Sequence, residues 1–470
     1  MGSTTDVPAA AAACAMPASG ARRLRSTSTA SALSGETYTT RSRSRTGGGG
    51  LNISRSSAAR NAASVLPDPV GARISVDSPR TIAGQPFRWA SVTDGKTDRN
   101  HCRTGGSNRF SGSRDTGDIY EATSRQPVRQ ETRRIIPDVR LSVLLPVFNA
   151  AATLPACLAS IRRQTFENWE CVILDDGSTD GSRAVAEAAV RQDPRFRLIV
   201  QPHAGIVTAL NRGLELCRAP IIARMDADDV MRRERLERQV AALDADPSLA
   251  AVGCHVRLGP RETVSARLAE YEAWLNGITT PEAVARDAFV ECPVAHPTLV
   301  MRHEMAGSGY RDCGWPEDYD LILRALGRGL RIGVVAERLH FWRVRPESLS
   351  RTDARYAIER FTACKAHHLS RGFLADRSEY VLWGYGRTGR MLHAALARLG
   401  HRPAAIVEVH PGRIGQRIHG APVIPPDRLP EVAQDRRVVA SVARPGPRAD
   451  VRAALDAMGF VEGRHYVCAA

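Results

Sequence analysis

A cluster of acidic residues near the middle of the chain carries the clearest chemical signal. Three carboxylates, Asp226, Asp228 and Asp229, directly follow an apolar run at residues 219–223. The run predicts a short buried strand, so the carboxylates would lie at a strand end and face a crevice. Carboxylate oxygens are the ligands that Mg²⁺ and Mn²⁺ prefer, and these ions often share them with substrate phosphates. A solvated acidic turn is the alternative, because Asp is a common turn residue.

Two further pairs of acidic residues could also belong to a site. Asp175 and Asp176 follow another apolar run, although a turn and a helix cap would by themselves explain them. Glu317 and Asp318 precede an apolar helical pattern, so they lie in the first turn of a predicted helix. Acids there complement the helix dipole by about 0.3–1 kcal/mol, which is a structural reason for their presence. Whether these carboxylates lie close together depends on the strands and helices around them.

Alternating strand and helix patterns surround the carboxylates. The predicted strands are residues 141–149, 169–174, 197–200 and 219–223, and the predicted helices are residues 153–163, 182–191 and 206–217. This alternation, with short turns, indicates an α/β fold with a mostly parallel, doubly wound sheet. In such sheets ligands bind at the carboxyl ends of the strands, so Asp176 and Asp226 would face one crevice.

Five motifs follow one another in a specific order across this region. They are Leu-Pro-Val-Phe-Asn at 145–149, Gln-Thr at 164–165, Asp-Asp-Gly-Ser-Thr-Asp-Gly at 175–181, Ala-Leu-Asn-Arg-Gly at 209–213 and Asp-Ala-Asp-Asp at 226–229. In order and spacing the series resembles the family-2 glycosyltransferases of the GT-A fold, over about residues 140–350. The resemblance implies a nucleotide-sugar donor, a divalent metal cofactor (Mg²⁺ or Mn²⁺) and inversion at the anomeric carbon.

The resemblance also implies roles for individual residues. Asp176 would hydrogen-bond the nucleobase, Asp226 would contact the ribose or the metal side of the donor, and Asp228 would ligate the metal. Asp318 would be the catalytic base that accepts the proton of the attacking acceptor hydroxyl. The other donor-side residues are Pro146 and Asn149, and those that support the site or face the acceptor are Asp229, His296, Trp315, Glu317 and Arg345.

One position departs from the family pattern. Many members carry His where this chain has Arg345, which puts a third metal ligand in doubt, and an arginine could instead contact the diphosphate. Two roles stay open, because His296 could be a polar core residue and Trp315 could either stack on an acceptor sugar or pack in the core. No Gln-x-x-Arg-Trp sequence follows Asp318, and no apolar run approaches the ~18 residues of a membrane span. Both observations favour transfer of a single sugar over processive synthesis.

The last part of the chain carries a second nucleotide-binding signature. Gly384, Gly386 and Gly389 form a G-x-G-x-x-G motif between a predicted strand and a predicted helix, and Glu408 follows 19 residues later. The predicted strands here are residues 380–383, 404–407, 438–442 and 466–468, and the predicted helices are residues 390–399 and 448–458. This part resembles a truncated Rossmann-like domain. It would hold either a second nucleotide or sugar-nucleotide site, or a packing and regulatory module that keeps only the turn geometry.

Composition divides the chain into four parts. Residues 1–138 are rich in Ser, Thr, Arg, Gly and Ala without lasting periodicity, so we expect a disordered extension there. A start assigned too early, with the true start near Val139, is the alternative. Residues 139–351 form the predicted GT-A domain, 352–378 a helical linker and 379–470 the Rossmann-like domain.

The net charge of +15 does not indicate a nucleic-acid partner. The first 138 residues include 20 basic and 11 acidic residues, and no basic run is interleaved with aromatic residues. The ten cysteines contain no C-x-x-C pair, which favours reduced thiols in the cytosol over disulfides or a zinc site. We therefore expect a cytoplasmic protein without a transmembrane segment, with peripheral contact at the inner face of the membrane as a further option.

These observations converge on one functional hypothesis. It is a metal-dependent, inverting, non-processive glycosyltransferase that moves a sugar from a nucleotide-diphosphate-sugar to a glycan or lipid-linked acceptor, with a role in cell-envelope polysaccharide synthesis. A non-catalytic sugar-nucleotide-binding or regulatory protein is one alternative, although such a protein has no need of a base such as Asp318. An NAD(P)-dependent oxidoreductase built on the C-terminal motif is another, and the absence of an obvious hydride-transfer pair disfavours it.

Overall fold

The computed structural model describes residues 139–470, which form two β-sheets with helices packed against them. The predicted disordered extension at 1–138 lies outside the described residues. Within residues 139–470, no helix has both the length and the apolar composition that a membrane crossing requires.

The first sheet has eight strands in the order β3-β2-β1-β4-β7-β6-β8-β5. Their bounds are β1 (Leu141–Val147), β2 (Trp169–Asp175), β3 (Phe196–Val200), β4 (Ile221–Arg224), β5 (Val230–Met231), β6 (Leu249–Gly259), β7 (Val300–Arg302) and β8 (Arg331–Arg343). The first four strands of this order are parallel, β7 is antiparallel to both of its neighbours, and β6 and β8 are parallel. The mixed, mainly parallel α/β sheet confirms the predicted fold class.

Helices cover both faces of this sheet. They are α1 (Leu154–Arg162), α2 (Ser182–Gln192), α3 (Ile206–Leu216), α4 (Arg235–Ala245), α5 (Ala266–Leu275), α6 (Pro281–Asp287), α7 (His303–Ala306), α8 (Glu317–Gly327), α9 (Leu349–Thr352) and α10 (Ile358–Arg371). Because side chains alternate along a strand, Leu145 packs into one hydrophobic core while its neighbour Leu144 packs into the other. All seven residues of β1 and of β2 are buried, as expected for parallel strands covered on both faces.

The C-terminal residues form a second sheet of six strands in the order β11-β12-β10-β9-β13-β14. The elements are β9 (Glu379–Trp383), α11 (Arg387–Arg398), β10 (Arg402–Val407), β11 (Arg417–Ile418), β12 (Ala421–Ile424), α12 (Leu429–Val432), β13 (Arg437–Ala440), α13 (Pro445–Ala457) and β14 (Tyr466–Cys468). All neighbouring pairs are parallel except the hairpin of β11 and β12. The strand order reverses at β9, with β10 on one side and β13 on the other, and this reversal creates a crevice at the carboxyl ends of these strands.

Candidate active site

The ends of β1 and β2 are joined to each other at one edge of the first sheet. Asn149 Oδ1 accepts a hydrogen bond from the Thr179 backbone N–H at 2.9 Å, and the Asn149 N–H donates to Ser178 Oγ at 3.0 Å. Asn149 has a φ of +49°, an uncommon backbone conformation for a residue other than glycine, and it marks the sharp turn after β1. Pro146 lies buried within β1 opposite Leu174, so its ring belongs to the core beneath this edge.

Asp176 organises the loop that follows β3. Its carboxylate accepts from Gln201 Nε2 at 2.7 Å and from the backbone N–H groups of Ala204 and Gly205, both at 2.9 Å. His203 Nδ1 lies 2.9 Å from the same carboxylate. A nucleobase contact would therefore have to replace one of these bonds. In contrast, Asp175 Oδ2 is buried and has no hydrogen-bond partner among the described residues.

Asp226, Asp228 and Asp229 gather just beyond β4, with carboxylate oxygens within 4.8 Å of one another. Each has a different partner. Asp226 Oδ1 lies 2.6 Å from Arg224 Nη1, and Asp228 Oδ2 accepts from Arg345 Nη2 at 2.9 Å and Nε at 3.1 Å. The two oxygens of Asp229 are engaged by His340 Nε2 and the Arg343 backbone N–H, both at 2.8 Å. The structure thus brings together the three acids that the sequence singled out.

Burial and mutual repulsion change the protonation of Asp228 and Asp229. Burial and the charges of Asp226 and Asp229 raise the pKa of Asp228 to about 7, against the lowering effect of Arg345. Burial and Asp226 also raise the pKa of Asp229 well above its ordinary value. A positive ion would relieve this repulsion, and hard carboxylate oxygens at one place fit Mg²⁺ or Mn²⁺. Asp226 and Asp228 are the residues most able to hold it, because both oxygens of Asp229 already accept hydrogen bonds.

Two buried polar side chains in series, Arg235 and His340, hold Asp229 in place. Arg235, fully buried in α4, lies with Nη1 3.2 Å from His340 Nδ1 and donates through Nη2 to the Arg224 carbonyl at 3.0 Å. Since a guanidinium only donates, His340 Nδ1 must accept, and the imidazole proton resides on Nε2 and faces Asp229. Burial and the Arg235 charge lower the pKa of His340 well below its ordinary value. His340 is therefore a neutral donor that fixes the orientation of Asp229.

The second acidic pair begins α8. Asp318 is half-buried, and its Oδ1 accepts from the Tyr319 backbone N–H at 2.7 Å. Burial and the neighbouring Glu317 charge raise the pKa of Asp318 to about 7. Glu317 is buried, and the Tyr356 hydroxyl donates to its carboxylate, with distances of 2.8 and 2.9 Å to its two oxygens. Asp318 is thus the member of the pair that remains free to receive a proton.

Trp315 and His296 occupy different environments near this helix. Trp315 is half-buried, its Nε1 donates to Asp320 Oδ1 at 3.3 Å, and its ring lies 5.1 Å from that of His367. His296 is only 7% exposed and contacts the Tyr310 hydroxyl through Nε2 at 2.8 Å. Burial and Arg224 lower the pKa of His296 well below its ordinary value, so it is neutral. These surroundings favour a polar core role for His296.

Arg224, the last residue of β4, is a site residue that the sequence reasoning missed. It is 3% exposed, and its Nε and Nη1 have no hydrogen bond of good geometry among the described residues, although Nη1 lies close to Asp226. Burial raises the pKa of both Glu317 and Asp318, and the Arg224 charge opposes that rise, so its field reaches the acids of α8 as well as Asp226. The signal in the sequence was an arginine at the end of an apolar strand pattern.

The C-terminal motif lies at the crevice of the second sheet. Gly384 has a φ of +93°, and a Cβ on Gly389 would come within 2.1 Å of the Gly384 carbonyl oxygen, so the turn packs directly on α11. Gly386 faces open space. Glu408 Oε1 accepts from the Tyr385 backbone N–H at 2.7 Å and from Arg413 Nη1 at 3.1 Å. The structure therefore brings all four predicted residues together and ties Glu408 to the glycine turn.

Comparison with known proteins identifies a family and several similar chains. The family model described as glycosyl transferase family 2 matches residues 142–306. The chain is 30% identical over 193 residues to the amylovoran biosynthesis glycosyltransferase AmsE of Erwinia amylovora, which covers 40% of this chain and 70% of AmsE. It is 29% identical over 250 residues to the putative glycosyltransferase EpsE of Bacillus subtilis, covering 52% of this chain and 86% of EpsE. Among solved structures, S. aureus TarS with UDP has a TM-score of 0.41 at 18% identity, covering 55% of this chain and 71% of that one.

The mixed α/β fold and the similar proteins define a class of sugar-transferring enzymes, and the chain belongs to glycosyltransferase family 2. The protein is accordingly an enzyme that transfers a sugar.

Proposed function

We propose that the protein is a metal-dependent, inverting glycosyltransferase that adds a single sugar from a nucleotide-diphosphate-sugar to an acceptor hydroxyl. The observation that supports this most is the division of acidic groups between two elements. Asp226 and Asp228 lie together after β4, whereas Asp318 stands apart on α8 with a pKa raised to about 7. Direct displacement needs charge neutralisation on the leaving side and a proton acceptor on the attacking side, and these two groups supply both.

On the donor side, carboxylates of the chain are held in fixed positions. Asp226 and Asp228 would hold Mg²⁺ or Mn²⁺, which when bound supplies positive charge for the leaving diphosphate. Asp229 supports them, because His340 and the Arg343 N–H hold its oxygens in place. The loop that Asp176 closes, together with Asn149, would form the wall for the nucleoside.

On the acceptor side, Asp318 would take the hydroxyl proton. Its Oδ1 accepts from Tyr319, so Oδ2 is the oxygen that would receive the proton. A pKa near 7 lets the carboxylate be ionised at neutral pH and still accept a proton during attack. Because the attack would come from the face opposite the diphosphate, the product would have the inverted configuration. Trp315, held beside α8 by Asp320, could pack against an acceptor ring.

The acceptor we propose is a glycan or lipid-linked hydroxyl in cell-envelope polysaccharide synthesis. This follows the relatives, since AmsE is described by its name as an enzyme of amylovoran biosynthesis. We place the protein in the cytoplasm, at the inner membrane face when the acceptor is lipid-linked. Seven of the eight described cysteines are buried, and all eight are free thiols, as expected in a reducing compartment.

The test is incubation with a panel of nucleotide sugars and candidate acceptors plus Mn²⁺, with nucleoside diphosphate release measured with and without EDTA. Asp228→Ala should abolish metal-dependent donor binding. Asp318→Asn should retain donor binding and reduce turnover by roughly 10²–10⁴, the effect of a lost general base. Asp312→Asn, an exposed acid on the loop before α8, is the matched control and should behave as wild type. Unchanged turnover in Asp318→Asn would remove that residue from the mechanism.

We also propose a second nucleotide site in the crevice between β9 and β13. The open face of Gly386 at the point where the strand order reverses supports it. Gly386→Val should fill this space without strain, since Gly386 has a φ of −74°, and should abolish binding while leaving the melting temperature unchanged. Binding of NAD and UDP-sugars would be measured by calorimetry in a double variant, Asp228→Ala with Arg345→Ala, which removes both a metal ligand and the arginine of the first site. No binding in that background would leave only the packing or regulatory role.

A further inference from the structure

The three clustered carboxylates differ in how firmly their partner side chains are held. Arg224, which pairs with Asp226, is 3% exposed within the sheet, and the His340 that contacts Asp229 is 1% exposed. Arg345 is different, because its side chain is 32% exposed and lies beyond the end of β8. Its Nε and Nη2 both converge on Asp228 Oδ2. One of the three partners is therefore free to move without disturbing the core.

Resting on the function proposed above, we propose that Arg345 is an exchangeable counter-ion of the donor site. It neutralises Asp228 while the site is empty, and its guanidinium transfers to the diphosphate when a donor and a divalent cation bind.

Electrostatics favours such an exchange. Arg345 and a divalent cation on Asp228 would both lie within contact distance of the same carboxylate and would repel each other. Without a cation beside Asp228, however, three carboxylates within 4.8 Å of one another, of which Asp229 is buried and the other two are half-buried, would repel one another. A diphosphate brings negative charge to the same place, and guanidinium groups bind phosphate oxygens through paired hydrogen bonds. The arginine therefore has a favourable partner in each state.

The backbone allows the side chain to move alone. The Val344 N–H donates to the Gly259 carbonyl at 2.7 Å and anchors the chain just before Arg345. Arg343 precedes Val344, and it donates through its backbone N–H to Asp229 and through Nε to the Asp228 carbonyl. Rotation of the Arg345 side chain is thus enough for the exchange, and the loop itself can stay in place.

A consequence is that diphosphate binding should not depend wholly on metal. An arginine cannot ligate the ion, but its guanidinium can contact phosphate directly through paired hydrogen bonds. The full-length protein should therefore bind UDP or GDP in EDTA, and Mn²⁺ should strengthen that binding.

Two measurements on the full-length protein test the exchange. Mn²⁺ affinity without nucleotide is measured by electron paramagnetic resonance of the free ion, and affinity for UDP and for GDP in EDTA is measured by calorimetry. Arg345→Ala should bind Mn²⁺ roughly 3- to 10-fold more tightly, because a competing charge is gone, and should bind the nucleotide at least about tenfold more weakly. Arg345→Lys should restore the wild-type Mn²⁺ affinity and only part of the nucleotide affinity. Arg351→Ala, an exposed arginine on α9, is the control and should change neither.

The opposite signs of the two effects separate this role from a structural one. If Arg345→Ala weakens both ligands, or changes neither, the exchange is wrong. If wild type binds UDP or GDP only with Mn²⁺ and Arg345→Ala binds them equally well, the exchange is wrong while the proposed function stands. If wild type binds no nucleoside diphosphate even with Mn²⁺, the proposed function fails as well.

Discussion

Asp228 and Asp318 lie on different elements, and burial raises the pKa of each to about 7. Both must be ionised for the proposed chemistry, one to hold a cation and the other to accept a proton. A bound cation favours the ionised form of Asp228, so with saturating metal the group of the proposed chemistry whose titration should govern the rate is Asp318.

The first prediction concerns the pH dependence of turnover. Because Asp318 is protonated below its pKa of about 7, kcat should rise with pH through that value and then level off. Below it, each pH unit should cost about tenfold in rate. The measurement is kcat at saturating Mn²⁺ and donor. A rate independent of pH over this range would contradict the role of Asp318 as the base.

The second prediction concerns the cost of keeping Asp318 charged. Its folded pKa of about 7 lies above the ordinary value, so the folded state binds the proton more tightly than the unfolded state does. Folding is therefore unaffected below the unfolded pKa and is penalised as pH rises through the folded pKa. Asp318→Asn should raise the thermal midpoint at about pH 8 and lose this advantage near pH 4. Asp312→Asn, at an exposed site, should show no such dependence, and an equal gain at both pH values would point to another cause.

At the scale of elements, local pattern was sufficient for the parallel part of the first sheet. The strands predicted at 169–174 and 197–200 correspond to β2 and β3, because a continuous apolar run between short turns has few other solutions. The C-terminal helix predicted from 448 instead begins at Pro445, where proline favours a helix start. β6 was not predicted, since its pairing with β8 joins residues about 80 positions apart and contains register shifts that no local pattern shows.

The same distinction applies to the site. The acids could be predicted because they adjoin one another in the sequence. The polar groups that hold the acids in place were not predicted. His340 and Asp229 are 111 residues apart, and Tyr356 and Glu317 are 39 apart. Pairs of this kind form only when separate elements pack against each other. The sequence therefore shows at most a single Arg or His within an apolar pattern, and not its partner.

The third prediction concerns the contact between α8 and α10. Asp320 accepts from His368 Nε2 at 3.0 Å and from Arg324 Nε at 2.7 Å. Burial raises the pKa of Asp320, but the hydrogen bonds from His368 and Arg324 prevail and lower it to about 2. Asp320→Asn should destabilise the protein by about 1–3 kcal/mol, because buried donors lose a charged acceptor.

The sign of its pH dependence follows from the lowered pKa. The stabilisation from Asp320 is present above the unfolded pKa and is lost as pH falls towards about 2. Urea unfolding of wild type and Asp320→Asn should therefore differ most at neutral pH and converge in acid. Asp312→Asn, which alters an exposed acid, controls for the loss of charge. A difference that persists unchanged in acid would exclude the carboxylate as the source.

At the scale of the whole molecule, the two sheets are joined by more than the chain between them. Val290, from the segment after α6, packs in the hydrophobic core beneath β13 and β14. Lys365 of α10 donates to the Val290 carbonyl at 2.7 Å and contacts the Ala469 carbonyl at 3.4 Å. The division into separate domains at 351 and 379 stays a prediction, and these contacts argue that the regions on either side unfold together.

The fourth prediction tests that coupling through Arg452. This arginine of α13 contacts Asp287 of α6 at 2.5 Å and Glu462 at 3.0 Å, and Asp287 is only 4% exposed. Arg452→Met removes the close partner of a buried carboxylate, since Arg286 is more distant at 3.4 Å. The expected loss is up to about 3–5 kcal/mol, because the buried Asp287 charge keeps only this more distant and exposed partner. Arg428→Met, which breaks an exposed pair with Glu431, should cost less than about 1 kcal/mol.

The first sheet and the C-terminal sheet should lose their structure at the same temperature. If they form one cooperative unit, calorimetry of Arg452→Met should show a single transition at a lower temperature, and donor binding should be lost at that same temperature. If they are independent, the C-terminal sheet should melt first in a separate transition while donor binding persists. Asp287 lies at the end of α6 in the transferase region, and Arg452 lies in α13 of the C-terminal region. An effect of the Arg452 substitution on donor binding would therefore have to arise from stability that the two regions share.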